Sequence, residues 1–276
     1  MKKTLLTVFA SLLLLSACNP IRYCYQVYEV NSPEVKVDGD VIYFENSDCR
    51  ITYNLWSDGG NLNFIMKNKT NKNIYLVMSK SFFILNDIAN DYYTDSSHSL
   101  AITNSLVASS AAQASISGYI NNRLAWYPTT ISRQISASVG TSKTETFKYH
   151  ESPIICIPPQ SSKFIQGFNL SDYVYLDCQN RDANYPKYTS PKITYDDGNS
   201  PLVFRNIVCY SFDEKGENVE TIENHFNVFS MQNFSEKAAL SKKKVINCES
   251  GLNEKKTYFD ISAPYKFYNK YSYVIR

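Results

Sequence analysis

The chain has 276 residues, with 28 lysines and arginines against 26 acids and a formal net charge of +2. Its longest basic run is Lys242-Lys243-Lys244, so the basic face of a nucleic-acid binder is missing and nucleic acid is not an expected partner. Twenty-two tyrosines and 15 phenylalanines suit pleated, half-buried surfaces, which makes all-β the natural class.

The chain opens with Met1-Lys2-Lys3, an apolar run from Leu5 to Leu15, and the small residues Ser16 and Ala17 before Cys18. A charged start, a short apolar stretch and a small-residue exit make up a secretory signal. The run falls short of the about 20 apolar residues that a spanning helix needs. Leu15-Ser16-Ala17-Cys18 resembles the lipobox of bacterial lipoproteins. That resemblance implies a diacylglyceryl group on the Cys18 thiol, cleavage just before it, and a membrane attachment through that lipid. Two or more acyl chains hold a protein stably where one does not. Asn19, where the family's inner-membrane signal has aspartate, favours the outer membrane. Removing residues 1–17 leaves 26 basic and 26 acidic residues, a balanced mature chain.

Residues 18–33 are expected to be the lipidated N-terminus and a tether leading into a first strand, and 34–276 one elaborated domain. Within it, "VKVDGDVIYF" (35–44) predicts a hairpin turning at Asp38-Gly39. "CRITYNLW" (49–56) and "NLNFIMKN" (61–68) alternate with period two around "SDGG", placing Ile51, Tyr53, Leu55, Leu62, Phe64 and Met66 on buried faces. "IYLVM" (74–78) predicts a strand, and "SFFILNDIANDYY" a hairpin turning near Asn86-Asp87.

Between 97 and 146 serine, threonine and alanine make up about half the residues, an insertion of undecided structure. Residues 105–128 fit a helix ended by Gly118 or Pro128, and fit equally a long loop or protruding ribbon. Strands resume at 151–159 and 162–170, separated by Pro158-Pro159, which cannot donate to a ladder. A tyrosine-bearing linker with an Asp197-Gly198 turn leads to strands at 201–212 and 225–231, joined at "DEKGEN". "SEKAALSKK" (235–243) predicts one or two helical turns capped by Ser235, and "SKKKV" a solvated turn.

Short strands and frequent turns predict an antiparallel β-sandwich. "FIMKNKTNKNIYL" resembles the strand–turn–strand of immunoglobulin-like envelope domains, although the hallmark of cysteines about a buried tryptophan is not met clearly. With "ITYNLW", "SFFILNDIANDYY", "CIPPQSSK" and "FYNKY", the mature chain resembles uncharacterised Bacteroidota lipoproteins, which implies an address and no activity.

Six cysteines follow Cys18 and permit disulfides in an exported chain. Cys156 and Cys209 lie in apolar strands and read as buried thiols, whereas Cys178 and Cys248 lie in polar settings and are the expected bridge. C-x-x-C spacing is missing, and "DGD" and "DDG" lack the further acids of a calcium loop, so no metal or cofactor is expected. Hydrolase, zincin, P-loop and dinucleotide motifs are missing too. His98 and His150 read as solvated, and His225 as a strand residue. Asp172/Asp177, Asp196/Asp197 and Glu217/Glu220 read as turn and surface acids. Trp56 at a strand end reads first as a cap on the core and Trp126 as an anchor of the insertion, while Trp56, and Trp126 and Tyr127 beside Arg123, are also the aromatics that can stack on a sugar. The expectation is a non-enzymatic lipoprotein of the cell envelope that binds a protein or glycan partner through its loops. A polysaccharide or peptidoglycan hydrolase and an envelope assembly or scaffold component are the alternatives.

Overall fold

The computed structural model describes residues 21–94, 97–105, 132–137, 142–150, 152–196, 198–248 and 251–274. In chain order the strands are β1 (Ile21–Asn31), β2 (Lys36–Asp38), β3 (Val41–Glu45), β4 (Cys49–Tyr53), β5 (Phe64–Asn68), β6 (Ile74–Val77), β7 (Phe82–Leu85) and β8 (Ile88–Asp91). Then follow β9 (Ser97–Ser105), β10 (Ser132–Ala137), β11 (Ser142–His150), β12 (Ile154–Ile157), β13 (Ser162–Ile165), the turn of helix α1 (Arg181–Asn184) and β14 (Ile193–Thr194). The chain closes with β15 (Val203–Ser211), β16 (Glu220–Ser235), the turn of helix α2 (Glu236–Ala239), β17 (Leu240–Ile246), β18 (Asn253–Phe259) and β19 (Lys266–Val274). The fold is all-β and antiparallel in its sheets, as the composition predicts.

The larger sheet runs β12-β6-β15-β16-β1-β19, with β7 joined to β15, β8 to β7 and β14 to β16. A second sheet runs β13-β5-β4-β3-β2. One apolar core lies between them: Ile51, Tyr53, Phe64 and Met66 from the second sheet meet Leu76, Phe204, Val208 and Phe226 from the first. The alternation in residues 49–68 therefore reads correctly, and all six residues expected inside are buried. Both tight hairpins also form. Gly39 lies at φ +57° between β2 and β3, and Asn86 and Asp87 lie at φ +45° and +66° between β7 and β8. Two positive φ angles in a two-residue loop match the twist of the flanking strands.

The run "FIMKNKTNKNIYL" is a strand, a turn and a strand, but its strands belong to different sheets. Asn68, fully buried, holds the crossing: its Nδ2 donates to the carbonyls of Lys72, Ile157 and Pro158 at 2.7, 3.0 and 3.1 Å. The return crossing at Pro158-Pro159 is thus tied to the outward one. Residues 21–31, expected as tether, instead form β1, paired on both edges by β16 and β19.

Of the insertion, β9, β10 and β11 make a separate three-stranded sheet in the order β10-β11-β9. Residues 106–131, which hold most of the segment open to a helix reading, lie outside the described residues. The helical expectation for 235–243 is met by one turn, Glu236–Ala239. Leu240 already pairs with Phe259, so residues 240–246 extend as β17 and the three lysines lie on a strand rather than in a turn. Ser235 stands at the cap position without a side-chain bond, and its buried Oγ has no partner.

Candidate functional site

The end of β1 forms one wall of a groove of about 230 Å³. A bulge between Glu29 and Val30 sharpens the local twist, and Pro33 cannot continue the ladder. Val30, Val35 and Val37 line the groove with Phe226, Phe229 and Tyr265, and Ser32 adds a hydroxyl. Val30 N–H donates to the Tyr265 carbonyl at 2.9 Å, tying the two walls together. The volume lies below the ~300 Å³ at which whole small-molecule sites begin, so it suits one apolar side chain or the face of one sugar ring.

Two charged clusters border these residues. Glu29 accepts from Lys266 Nζ and Ser230 Oγ, each at 2.8 Å, and from Lys192 Nζ. Burial alone raises this carboxyl, but the bonds from Lys192, Lys266 and Ser230 outweigh it and hold Glu29 at about 2. Lys192 Nζ also stands 5.6 Å from the centre of the Phe229 ring, and Lys266 Nζ 5.8 Å from that of Tyr265. In the second cluster, Glu34 Oε1 meets His225 Nδ1 at 3.0 Å, and Glu34 Oε2 accepts from His225 N–H at 3.2 Å. Burial opposes ionisation of Glu34, while these bonds and one from Ser32 lower it. His225 Nε2 lies 3.2 Å from Glu223 Oε1, which also takes Arg205 Nη1 at 2.9 Å.

Nucleophilic catalysis needs a hydroxyl or thiol bonded to a base. Ser32 Oγ donates to Glu34 Oε2 at 3.1 Å rather than to the imidazole, and both imidazole nitrogens face carboxylates. Glu34 and Glu223 converge on the two nitrogens of one ring, and do not face each other as two carboxyls across a sugar. Among the described residues, no group of three or more His, Cys, Asp and Glu side chains is placed to hold a metal.

Of the residues picked out in the sequence, Trp56 is half-buried and makes ring contacts with Phe259 at 5.2 Å and Tyr268 at 5.0 Å. It packs against a second small core of Tyr25, Val27 and Ala239. Cys18, Arg123, Trp126 and Tyr127 lie outside the described residues. Cys178 and Cys248 are both exposed, free thiols, so the expected bridge is not formed. Cys178 precedes α1 in the linker, whereas Cys248 lies in the turn between β17 and β18. Cys209 is buried as expected, but Cys156 is exposed: alternation on the edge strand β12 turns Ile157 inward and Cys156 out. His225 is a strand residue as read, but its two carboxylate partners come from 2 and 191 residues away. Sequence reasoning missed the groove, because Val30, Phe229 and Tyr265 come from separate strands and a turn.

No protein-family model, curated protein or solved structure matches the chain.

Proposed function

We propose that the protein is a non-enzymatic envelope lipoprotein, exported and held by lipid on Cys18, most naturally in the outer membrane. Its domain is read as an immunoglobulin-like β-sandwich that displays a binding surface to a protein or glycan partner. The observation that carries the binding reading is the groove of about 230 Å³: apolar and aromatic walls, a charged border, and no nucleophile on its histidine. A platform of this kind buries an apolar side chain or a sugar face while charged neighbours set its orientation.

The test is a glycan array and an envelope pull-down with the native chain and with Val37→Arg. Val37 is 60 % exposed at the groove, so arginine there obstructs it without entering the core. Ligands captured by the native chain and lost by the variant support the reading. Unchanged capture by the variant counts against the groove. Hydrolysis of a polysaccharide or peptidoglycan by the native chain would replace binding with catalysis. Protease shaving of intact cells, with Cys18→Ala as the unanchored control, tests the address.

A further inference from the structure

The hairpin of β17 and β18 carries five lysines, Lys242, Lys243, Lys244, Lys255 and Lys256, against the single acid Glu254 within its strands. Its register sets like charges face to face: Lys243 opposes Lys256, and Lys244 opposes Lys255. Directly opposed like charges destabilise a strand pair. All five lysines are exposed, and nearly every residue of β18 is exposed too, so neither face of the ribbon is covered along its length. A two-stranded ribbon is marginal by itself, and this one is held at its base. There Leu240 and Phe259 pack with Tyr25, Trp56 and Tyr268. At the far end Ile246 and Leu252 are 68 % and 67 % exposed, flanking a turn closed by Asn247 N–H to the Leu252 carbonyl at 2.9 Å.

The root of this ribbon lies where the chain enters the fold. Cys24 pairs with Ser235, the residue before α2, and α2 leads directly into β17. Cys18 precedes the first residue of β1 by only three positions. Three residues reach about 10 Å, and a seven-residue strand about 23 Å. A bilayer that holds Cys18 is thus within reach of the ribbon.

We propose that the β17–β18 hairpin is a second membrane contact, which meets the bilayer that holds the chain tip-first, with Ile246 and Leu252 in the headgroup layer and the lysines of both ribbon faces against anionic headgroups. Anionic lipid supplies countercharge to the opposed lysines. An apolar tip beyond a basic stem suits an interface better than a soluble polyanion. The location of the bilayer beside the hairpin rests on the lipoprotein reading, whereas the affinity for anionic lipid does not.

The experiment compares full-length Cys18→Ala chain with the same chain carrying Lys243→Gln, Lys244→Gln and Lys255→Gln. Both are sedimented with phosphatidylglycerol–phosphatidylcholine vesicles and with phosphatidylcholine vesicles alone. The apolar leader is common to both chains, so their difference reports the hairpin. Each lysine at an anionic surface is worth about a fivefold factor, so the triple variant should partition on the order of a hundredfold less onto anionic vesicles. The difference should vanish on neutral vesicles and at about 1 M salt, where the screening length is ~3 Å. Equal partition of the two chains onto anionic vesicles overturns the proposal, as does lysine-dependent binding to a soluble polyanion without binding to vesicles. All three positions are exposed and the changes relieve like-charge repulsion, so thermal unfolding at or slightly above that of the parent chain is expected and certifies the fold. Palmitate labelling of the native chain reads the anchor separately: no label on Cys18 with lysine-dependent vesicle binding refutes the anchor and leaves the hairpin contact standing.

Discussion

The hydroxyl of Tyr53 donates to Asn224 Oδ1 at 2.7 Å across the middle of the core, joining β4 of one sheet to β16 of the other. The same oxygen accepts from Asn206 Nδ2 at 2.9 Å, and Asn206 Oδ1 accepts from Tyr92 at 2.8 Å. Burial raises the Tyr53 phenol, so it stays protonated and keeps donating. Asn224 Nδ2 has no partner, which leaves the chain of bonds little slack.

Tyr53→Phe keeps the ring and removes that oxygen, leaving Asn224 Oδ1 and Asn206 Nδ2 without it. Orphaned buried groups cost about 1–3 kcal/mol each, so a loss of about 2–4 kcal/mol is expected in urea unfolding. A loss under ~1 kcal/mol would mean that water or a shifted side chain replaces the hydroxyl.

Glu29 links stability to acid. Its carboxyl lies at about 2, below its ordinary 4.5, so it stabilises the fold above about 4.5 and stops doing so as pH falls through about 2. Lys192 is 43 % exposed, which screens part of the effect and brings it to about 2 kcal/mol. Glu29→Gln should therefore unfold more easily at neutral pH and show a flatter fall in stability between pH 4.5 and 2. Parallel stability curves for the two chains over that range would exclude Glu29 as the source.

Gly167 is required for close approach rather than for backbone freedom. A Cβ there would lie 2.2 Å from the Leu62 carbonyl oxygen, beside the bond from Leu62 N–H to the Phe168 carbonyl. Gly167→Ala must push these backbones apart, at a cost of at least about 2 kcal/mol. Thermal unfolding checks it, and a melting point equal to that of the native chain would show that the segment yields freely.

Asp87 pays a strain that glycine does not. It lies at φ +66° in the β7–β8 turn, a region that costs an L-residue about 1–2 kcal/mol. Asp87→Gly should raise stability by about 0.5 kcal/mol, since Asn-Gly is the favoured pair for this turn, and Asp87→Val should lower it by more than about 1 kcal/mol. The opposite order in paired denaturation curves would mean that the turn is held by something other than its own φ angles.

What the sequence determined by itself is local. The alternation of Ile51, Tyr53 and Leu55 is set by the two-residue pleat, and the hairpins at Gly39 and Asn86-Asp87 by backbone sterics, so both were legible without partners, although the first turn falls on Gly39-Asp40, one residue beyond the expected Asp38-Gly39. What needed the tertiary structure is everything that depends on which strands meet. Asn206 and Asn224 read as ordinary polar strand residues until Tyr53 arrives between them. Trp56 reads as a core cap or a sugar platform, and only the fold shows the Phe259 and Tyr268 rings against it. The groove joins residues some 200 positions apart, and "SKKKV" becomes two rungs of opposed like charge, one on each face of the ribbon, only when β18 aligns Lys255 and Lys256 against it. Register carries this information: shifting a pairing by one residue turns every side chain to the other face, and no window of the sequence states which partner or register will be chosen.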